Sequence, residues 1–317
     1  MALRRTIKQD NFDSVLDPAQ SGRPAKLTIR LKVHLFPRDP RAHYHAGPGN
    51  HIGLLSRTVK ETVTGWVDDA NHNLFQCRSW TEAEFNAFKI RFKQIVETVW
   101  NNQLILVPPD NAPDAGGLSD QDYLQFVSGA QVPAHAQCAL DVELMPHAHS
   151  SHAIIEAVRL LNRENYAFRS YQHLITNEDL EFQSRRDYRW PSLSFYQVAA
   201  AHEVGHWLGG LGPDTDPSRY LPHIDAEYCS KLPGHQNGDS CEYGHTPSKK
   251  AGMMGDGSLV TEYEAQTWLY RMIRHTHVLL GWTMVHRVNF AKGAVPVSAR
   301  QQSLLNGNRA AAGVRRP

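Results

Sequence analysis

The chain has 317 residues, 41% of them hydrophobic and 21% charged, with 33 Lys and Arg against 32 Asp and Glu. That composition, in a chain long enough to bury a sizeable core, excludes a wholly disordered protein and a disulfide-stapled miniprotein. The net charge of +1 gives no electrostatic case for a nucleic-acid or anionic-membrane partner, whereas 18 histidines are an excess that directs attention to metal binding.

No apolar run approaches the ~18 residues of a membrane span. Residues 1–20 carry basic side chains with no apolar stretch behind them, unlike a secretory signal. The expectation is a chain made in the cytoplasm, or exported by a route that needs no such signal. Residues 1–25 contain Pro18, Gly22 and Pro24 and are read as an irregular arm. A single domain is expected over 26–290, divided at Gly209 into an upper part (26–209) and a lower part (210–290), with a disordered tail over 291–317.

Leu27, Ile29, Leu31, Val33 and Leu35 alternate with Thr28, Arg30, Lys32 and His34, which predicts a strand with one buried face. Pro37, Pro40, Gly47, Pro48 and Gly49 mark a long loop. Thr81 with Glu84 three residues on forms a capping-box signature, and Phe85, Phe88, Phe92, Ile95, Val96, Val99 and Trp100 then fall on one helical face. Strands are predicted over 103–107, ended by Pro108-Pro109, and over 140–144. This order implies an α/β (α+β) layer: a mixed, twisted sheet with a backing helix. His147, His149 and His152 lie in a polar stretch that reads either as a solvated loop or as a second metal site. A helix is predicted over 194–209, an irregular Gly-, Pro-, Asp- and His-rich region over 210–257, and a last helix over about 262–280. The walls of any cleft would come from residues 37–75 and 210–250, read as loops. Of the four cysteines, Cys229 and Cys241 share one loop-like stretch and are either a local disulfide or two free thiols. With no C-x-x-C pair, a cysteine zinc site is not expected.

The chemistry concentrates in His202-Glu203-Val204-Gly205-His206. On a helix, positions i and i+4 share a face, so His202 and His206 offer two imidazoles to one ion. Glu203 borders that face, where its carboxylate reaches a water at the ion without displacing a ligand. Such an ion lowers the pKa of water toward ~7, and the carboxylate then serves as general base.

With Gly209 three residues after His206, the stretch resembles the metzincin-type zinc metallopeptidases, whose long motif reads H-E-x-x-H-x-x-G-x-x-H and is followed by a methionine turn. The third histidine would fall at position 212, which is Gly212. A Leu-Gly-Leu-Pro-His pattern is interrupted by residues 210–220 and resumes at Leu221-Pro222-His223, so the resemblance implies an inserted loop and His223 as third ligand. Gly252-Met253-Met254-Gly255-Asp256-Gly257 is similar to the methionine turn, with Met254 as the methionine beneath the ion and Met253 as the alternative. Some members carry a tyrosine two positions beyond that methionine. Here the position is Asp256, and Tyr243 or Tyr228 are candidates for stabilising an oxyanion. The resemblance implies a zincin-like fold, a Zn2+ cofactor, a protein or peptide substrate and hydrolysis of peptide bonds.

Two alternatives remain open from the sequence. One is a gluzincin-like peptidase with Glu262 or Glu264 as third ligand, and the other is an inactive zinc-binding interaction module. For the peptidase reading, the lack of a recognisable signal also fits a toxin-like effector delivered by a secretion or injection apparatus. Asp214 and Asp216 are further ligand candidates within the inserted loop.

Overall fold

The computed structural model describes residues 4–8, 11–19, 24–40, 57–59, 62–101, 103–107, 135–161, 168–185, 195–209, 252–255, 257–260, 266–276 and 282–286. Thirteen strands and three α-helices of these segments position the site. The strands are β1 (Arg5–Ile7), β2 (Asp13–Asp17), β3 (Ala25–Pro37), β4 (Arg57–Val59), β5 (Thr62–Asp68), β6 (Leu74–Arg78), β7 (Leu104–Val107), β8 (Ala136–Leu144), β9 (Ala153–Leu160), β10 (Leu174–Thr176), β11 (Phe182–Arg185), β12 (Phe195–Val198) and β13 (Thr283–His286). The helices are α1 (Glu82–Trp100), α2 (Ala199–Gly209) and α3 (Gln266–Thr276).

The fold is mixed α/β, with an open, mixed sheet and few helices. Its main sheet runs β13-β7-β8-β3-β9-β6-β5-β4, with β2 on β3, β1 on β2 and β10 on β9. The centre is β3, parallel to β8 from Ala25↔Ala136 to Val33↔Leu144 and parallel to β9 from Val33↔Ala153 onward. The alternation expected of β3 is present: Leu27, Ile29, Leu31 and Val33 are fully buried. The opposite face is not freely solvated, however. Thr28 is buried and Arg30, Lys32 and His34 are half-buried.

Helix α1 begins at Thr81, whose hydroxyl accepts from the Glu84 amide while the Glu84 carboxylate accepts from the Thr81 amide, the expected capping box. Its buried row of Phe88, Phe92, Val96, Val99 and Trp100 joins Leu27, Ile29 and Leu31 in one hydrophobic core. Burial of apolar area on this scale is the main drive for folding.

Several expectations are corrected. Residues 5–7 and 13–17 are strands rather than an irregular arm. The Asp13–Asp17 strand pairs antiparallel with β3, Asp13↔Arg30 to Asp17↔Lys26, because Phe12 and Val15 have a core to enter, and the Pro18–Pro24 stretch separates the two strands. Within the 37–75 stretch read as loop, residues 62–68 are likewise a strand, paired with the strand that starts at Leu74, from Thr64↔Arg78 to Asp68↔Leu74. Residues 195–198, expected as the start of a helix, form β12 and pair with β11 from Phe182↔Val198 to Arg185↔Phe195. Phe195 inward, Tyr196 outward and Gln197 inward is a period-2 pattern, and cross-strand pairing prevails there over the helical propensity of the alanines that follow. The predicted last helix is described over Gln266–Thr276. The tail over 291–317 lies outside the described residues. Among the described residues no helix is long and apolar enough to cross a membrane.

Candidate metal centre on helix α2

Helix α2 follows β12 without a linker, so the β11–β12 pair fixes where it starts, and the Ala200 amide donates to the Asp179 carbonyl at 3.1 Å. Two tryptophans secure its body. Trp100, at the end of α1, donates from Nε1 to the Ala201 carbonyl at 2.9 Å, and Trp207 donates to the Gln172 carbonyl at 2.8 Å. Helix α3 holds the far end, where the Thr267 hydroxyl donates to the Leu208 carbonyl at 2.8 Å. The same helix anchors to the sheet through Trp268 Nε1, which donates to the Ala139 carbonyl at 2.9 Å, and the Trp268 ring stacks on Trp100 at 5.7 Å.

On this helix His202 and His206 stand one turn apart, their rings 5.2 Å between centroids and inclined at 80°. His202 is buried and His206 half-buried. His202 Nδ1 lies 2.9 Å from the Met253 carbonyl and 3.0 Å from Gln197 Nε2. Gln197 Nε2 also donates to the Gly255 carbonyl at 2.5 Å. Nδ1 thus lies between an acceptor, the Met253 carbonyl, and a donor, the Gln197 amide, and it can be held by either according to its protonation. Both contacts are to Nδ1, which orients the ring about that nitrogen. A histidine ligand usually has its second ring nitrogen anchored in this way.

Glu203 is 5% exposed, and its Oε2 is buried without a hydrogen-bond partner. Among the described residues the cation candidate beside it is His206, whose Nε2 is 3.8 Å away, beyond hydrogen-bond range. Burial, with a smaller contribution from the Asp179 charge, pushes the Glu203 carboxyl up to about 8. Asp179 is itself spoken for, its Oδ2 accepting from the Ser170 hydroxyl and from both the amide and the hydroxyl of Thr176.

Gly252–Gly255 forms a tight turn closed by the Gly255 amide on the Gly252 carbonyl at 2.9 Å, and the Met253 amide donates to Leu259. The Met254 side chain, 5% exposed, lies directly against α2 at Gly205. A Cβ at position 205 would stand 2.1 Å from Met254 Sδ and 3.2 Å from Trp100 Cζ2. The central glycine of the histidine motif therefore admits the methionine. Met253, the sequence alternative, contributes its carbonyl to His202 and is also fully buried.

The remaining candidates are apart from this assembly or outside the described residues. His223, Tyr228, Tyr243, Asp214, Asp216, Asp256, Glu262, Glu264, Cys229 and Cys241 lie outside. His147 and His149 stack on each other, exposed, beside the 3-10 turn Ala148–Ser150. His152 does not share that exposure: its Nδ1 accepts from the Lys32 amide at 3.0 Å, a structural bond. The described cysteines, Cys77 and Cys138, are buried and unbonded, and burial pushes the Cys77 thiol up to about 11. Among the described residues no three His, Cys, Asp or Glu side chains converge as a metal site, because only two of the proposed ligands fall within them.

The sequence reading did not find Gln197, which holds both the methionine turn and the edge of His202. Its position five residues before His202 carries no motif, although its inward place in the alternation of β12 is a signal of burial. Comparison with protein-family models, with curated proteins and with solved structures returned no match.

Proposed function

We propose that the chain is a zincin-like, zinc-dependent metalloendopeptidase, with His202, His206 and His223 as ligands and Glu203 as the catalytic base. The observation that carries the reading is the state of α2: two imidazoles one turn apart, His202 anchored through Nδ1, and Glu203 beside them with an oxygen buried without a hydrogen-bond partner. A buried polar atom without a partner calls for an explanation, and an ion with its water supplies one. Imidazole donors also suit zinc.

When bound, zinc supplies a Lewis acid for the scissile carbonyl and acidifies water. A cation at the histidine pair would favour the ionised form of Glu203, whose Oε2 then accepts the proton of the attacking water and returns it to the nitrogen of the leaving amine. The burial of Glu203 beneath His206 keeps the carboxylate from bulk solvent. Met254, packed on Gly205, keeps the histidine-bearing turn from shifting relative to the Gly252–Gly255 turn.

The test is casein cleavage by wild type and by Glu203→Gln, each with its bound zinc measured. The variant is expected to retain the fold and the zinc and to lose ~10²–10⁴-fold in turnover. More than about a tenth of wild-type turnover in the variant would overturn the assignment of the base.

A further inference from the structure

The end of α1 holds α2 through Trp100, and it also holds the methionine turn, through Gln103. This residue is half-buried between the end of α1 and β7. Its Oε1 accepts from the Val260 amide at 2.9 Å, and its Nε2 donates to the Ser258 carbonyl at 3.1 Å. Nε2 also donates to the Val99 carbonyl in the last turn of α1, where helix carbonyls have no partner within the helix. The Val260 N–H needs an oxygen and the two carbonyls need N–H groups, so the neighbours set which way the Gln103 amide points. An ionised glutamate could not make the same bonds, because one of its oxygens would face two carbonyls.

From this clamp the bonds continue to the histidines. Leu259, between the two clamped residues, accepts from the Met253 amide at 2.6 Å, and the Met253 carbonyl lies 2.9 Å from His202 Nδ1. On the other side, Trp100 Nε1 is bonded to the carbonyl of Ala201, the residue before His202. Trp100 and Gln103 are three residues apart. One end of α1 therefore carries both the helix that bears the imidazoles and the turn that meets His202.

We propose that Gln103 is a positioning residue for the metal, one that sets the methionine turn against α2 and thereby the orientation of His202. The proposal rests on the assignment of His202 as a zinc ligand. Groups that orient metal ligands are worth ~10–100-fold in affinity, and Gln103, acting through Met253, belongs at the lower end of that range. The coupling is reciprocal: a clamp that raises zinc affinity by ~10-fold opens ~10-fold less often once zinc is bound.

Two measurements on the full chain test this. The first is zinc affinity by competition with a chromophoric chelator, in wild type and in Gln103→Met, which keeps the length of the side chain and removes its hydrogen bonds. The variant is expected to bind zinc ~10-fold more weakly while its circular dichroism stays that of wild type. The second is hydrogen exchange of the wild-type amides by NMR, with and without zinc. Saturating zinc should slow the Val260 and Met253 amides by ~10-fold and leave the Leu161 amide, bonded to the Gln76 carbonyl of β6, unchanged. A purely structural clamp would give neither effect. Unchanged zinc affinity in a folded Gln103→Met, or Val260 exchange indifferent to zinc, would overturn the proposal. Should Gln103→Met not fold, the wild-type exchange decides. A wild type that takes up no zinc would overturn the zinc reading, and this proposal with it, before any variant is compared.

Discussion

Gly205→Ala and Met254→Ala form a double-mutant cycle that probes the packing beneath the histidine pair. A Cβ at position 205 meets Met254 Sδ at 2.1 Å, Cε at 3.1 Å and Trp100 Cζ2 at 3.2 Å. Trp100 cannot yield easily, because its Nε1 is bonded to the Ala201 carbonyl. The backbone of the methionine turn is held by the Met253–Leu259 and Gly255–Gly252 bonds, so the Met254 side chain must leave its place. Overpacking of this kind costs ~1–3 kcal/mol, and the better helix propensity of Ala returns about 1 kcal/mol, for a net cost of about 0–2 kcal/mol. Met254→Ala alone opens a cavity and costs ~2–5 kcal/mol. In that background the obstructing sulfur is gone, so Gly205→Ala should stabilise by about 1 kcal/mol. The coupling is therefore about 1–3 kcal/mol, well above the ~0.5 kcal/mol expected of independent sites. Urea unfolding of the metal-free proteins, followed by tryptophan fluorescence with the m-value checked, measures it. If Gly205→Ala has the same effect with Met254 and with Ala at 254, the methionine is not seated on the glycine and the reasoning fails.

Two further outcomes follow from the same geometry. Gln197→Ala removes the amide that joins the Gly255 carbonyl to His202, and should weaken zinc binding by ~10–100-fold in competition with a chromophoric chelator while leaving the fold intact; unchanged affinity would show that Met253 alone positions the ring. The Arg78 guanidinium, bonded to both oxygens of Glu84, holds that carboxyl down at about 2 from an ordinary 4.5. Because the folded pKa is depressed, the stabilisation is present above about 4.5 and is lost as pH falls toward 2. The pair is about a third exposed, so Glu84→Gln should cost no more than about 1 kcal/mol at pH 7 and should make the decline in stability below pH 4.5 shallower, as followed by urea midpoints across pH.

The parts of the fold that are legible in the sequence are those where local signals and tertiary contacts agree. In β3 strict alternation coincides with a buried face, and in α1 the Thr81–Glu84 cap coincides with a row of aromatics that has a sheet to cover. The β9 strand is harder to read, because exposed Ile154 and half-buried Glu156 blur the alternation of Ala153, Ile155 and Ala157. The β2 strand is five residues flanked by turn formers, and only its pairing with β3 makes it a strand. The same logic governs the site. His202, Glu203 and His206 are visible because helix periodicity alone brings them together. The contributions of Gln197, the Met253 carbonyl and the Gly205–Met254 contact depend on chain segments some fifty residues apart meeting at α2, and no local spacing encodes that meeting.

The most direct test of the central claim is the zinc K-edge X-ray absorption spectrum of the full chain loaded with one equivalent of zinc. The account predicts three imidazole nitrogens at ~2.0–2.1 Å and one oxygen ligand, with one imidazole lost in His223→Ala. A spectrum with thiolate sulfur, with fewer than three imidazoles in wild type, or with no change in His223→Ala would contradict it.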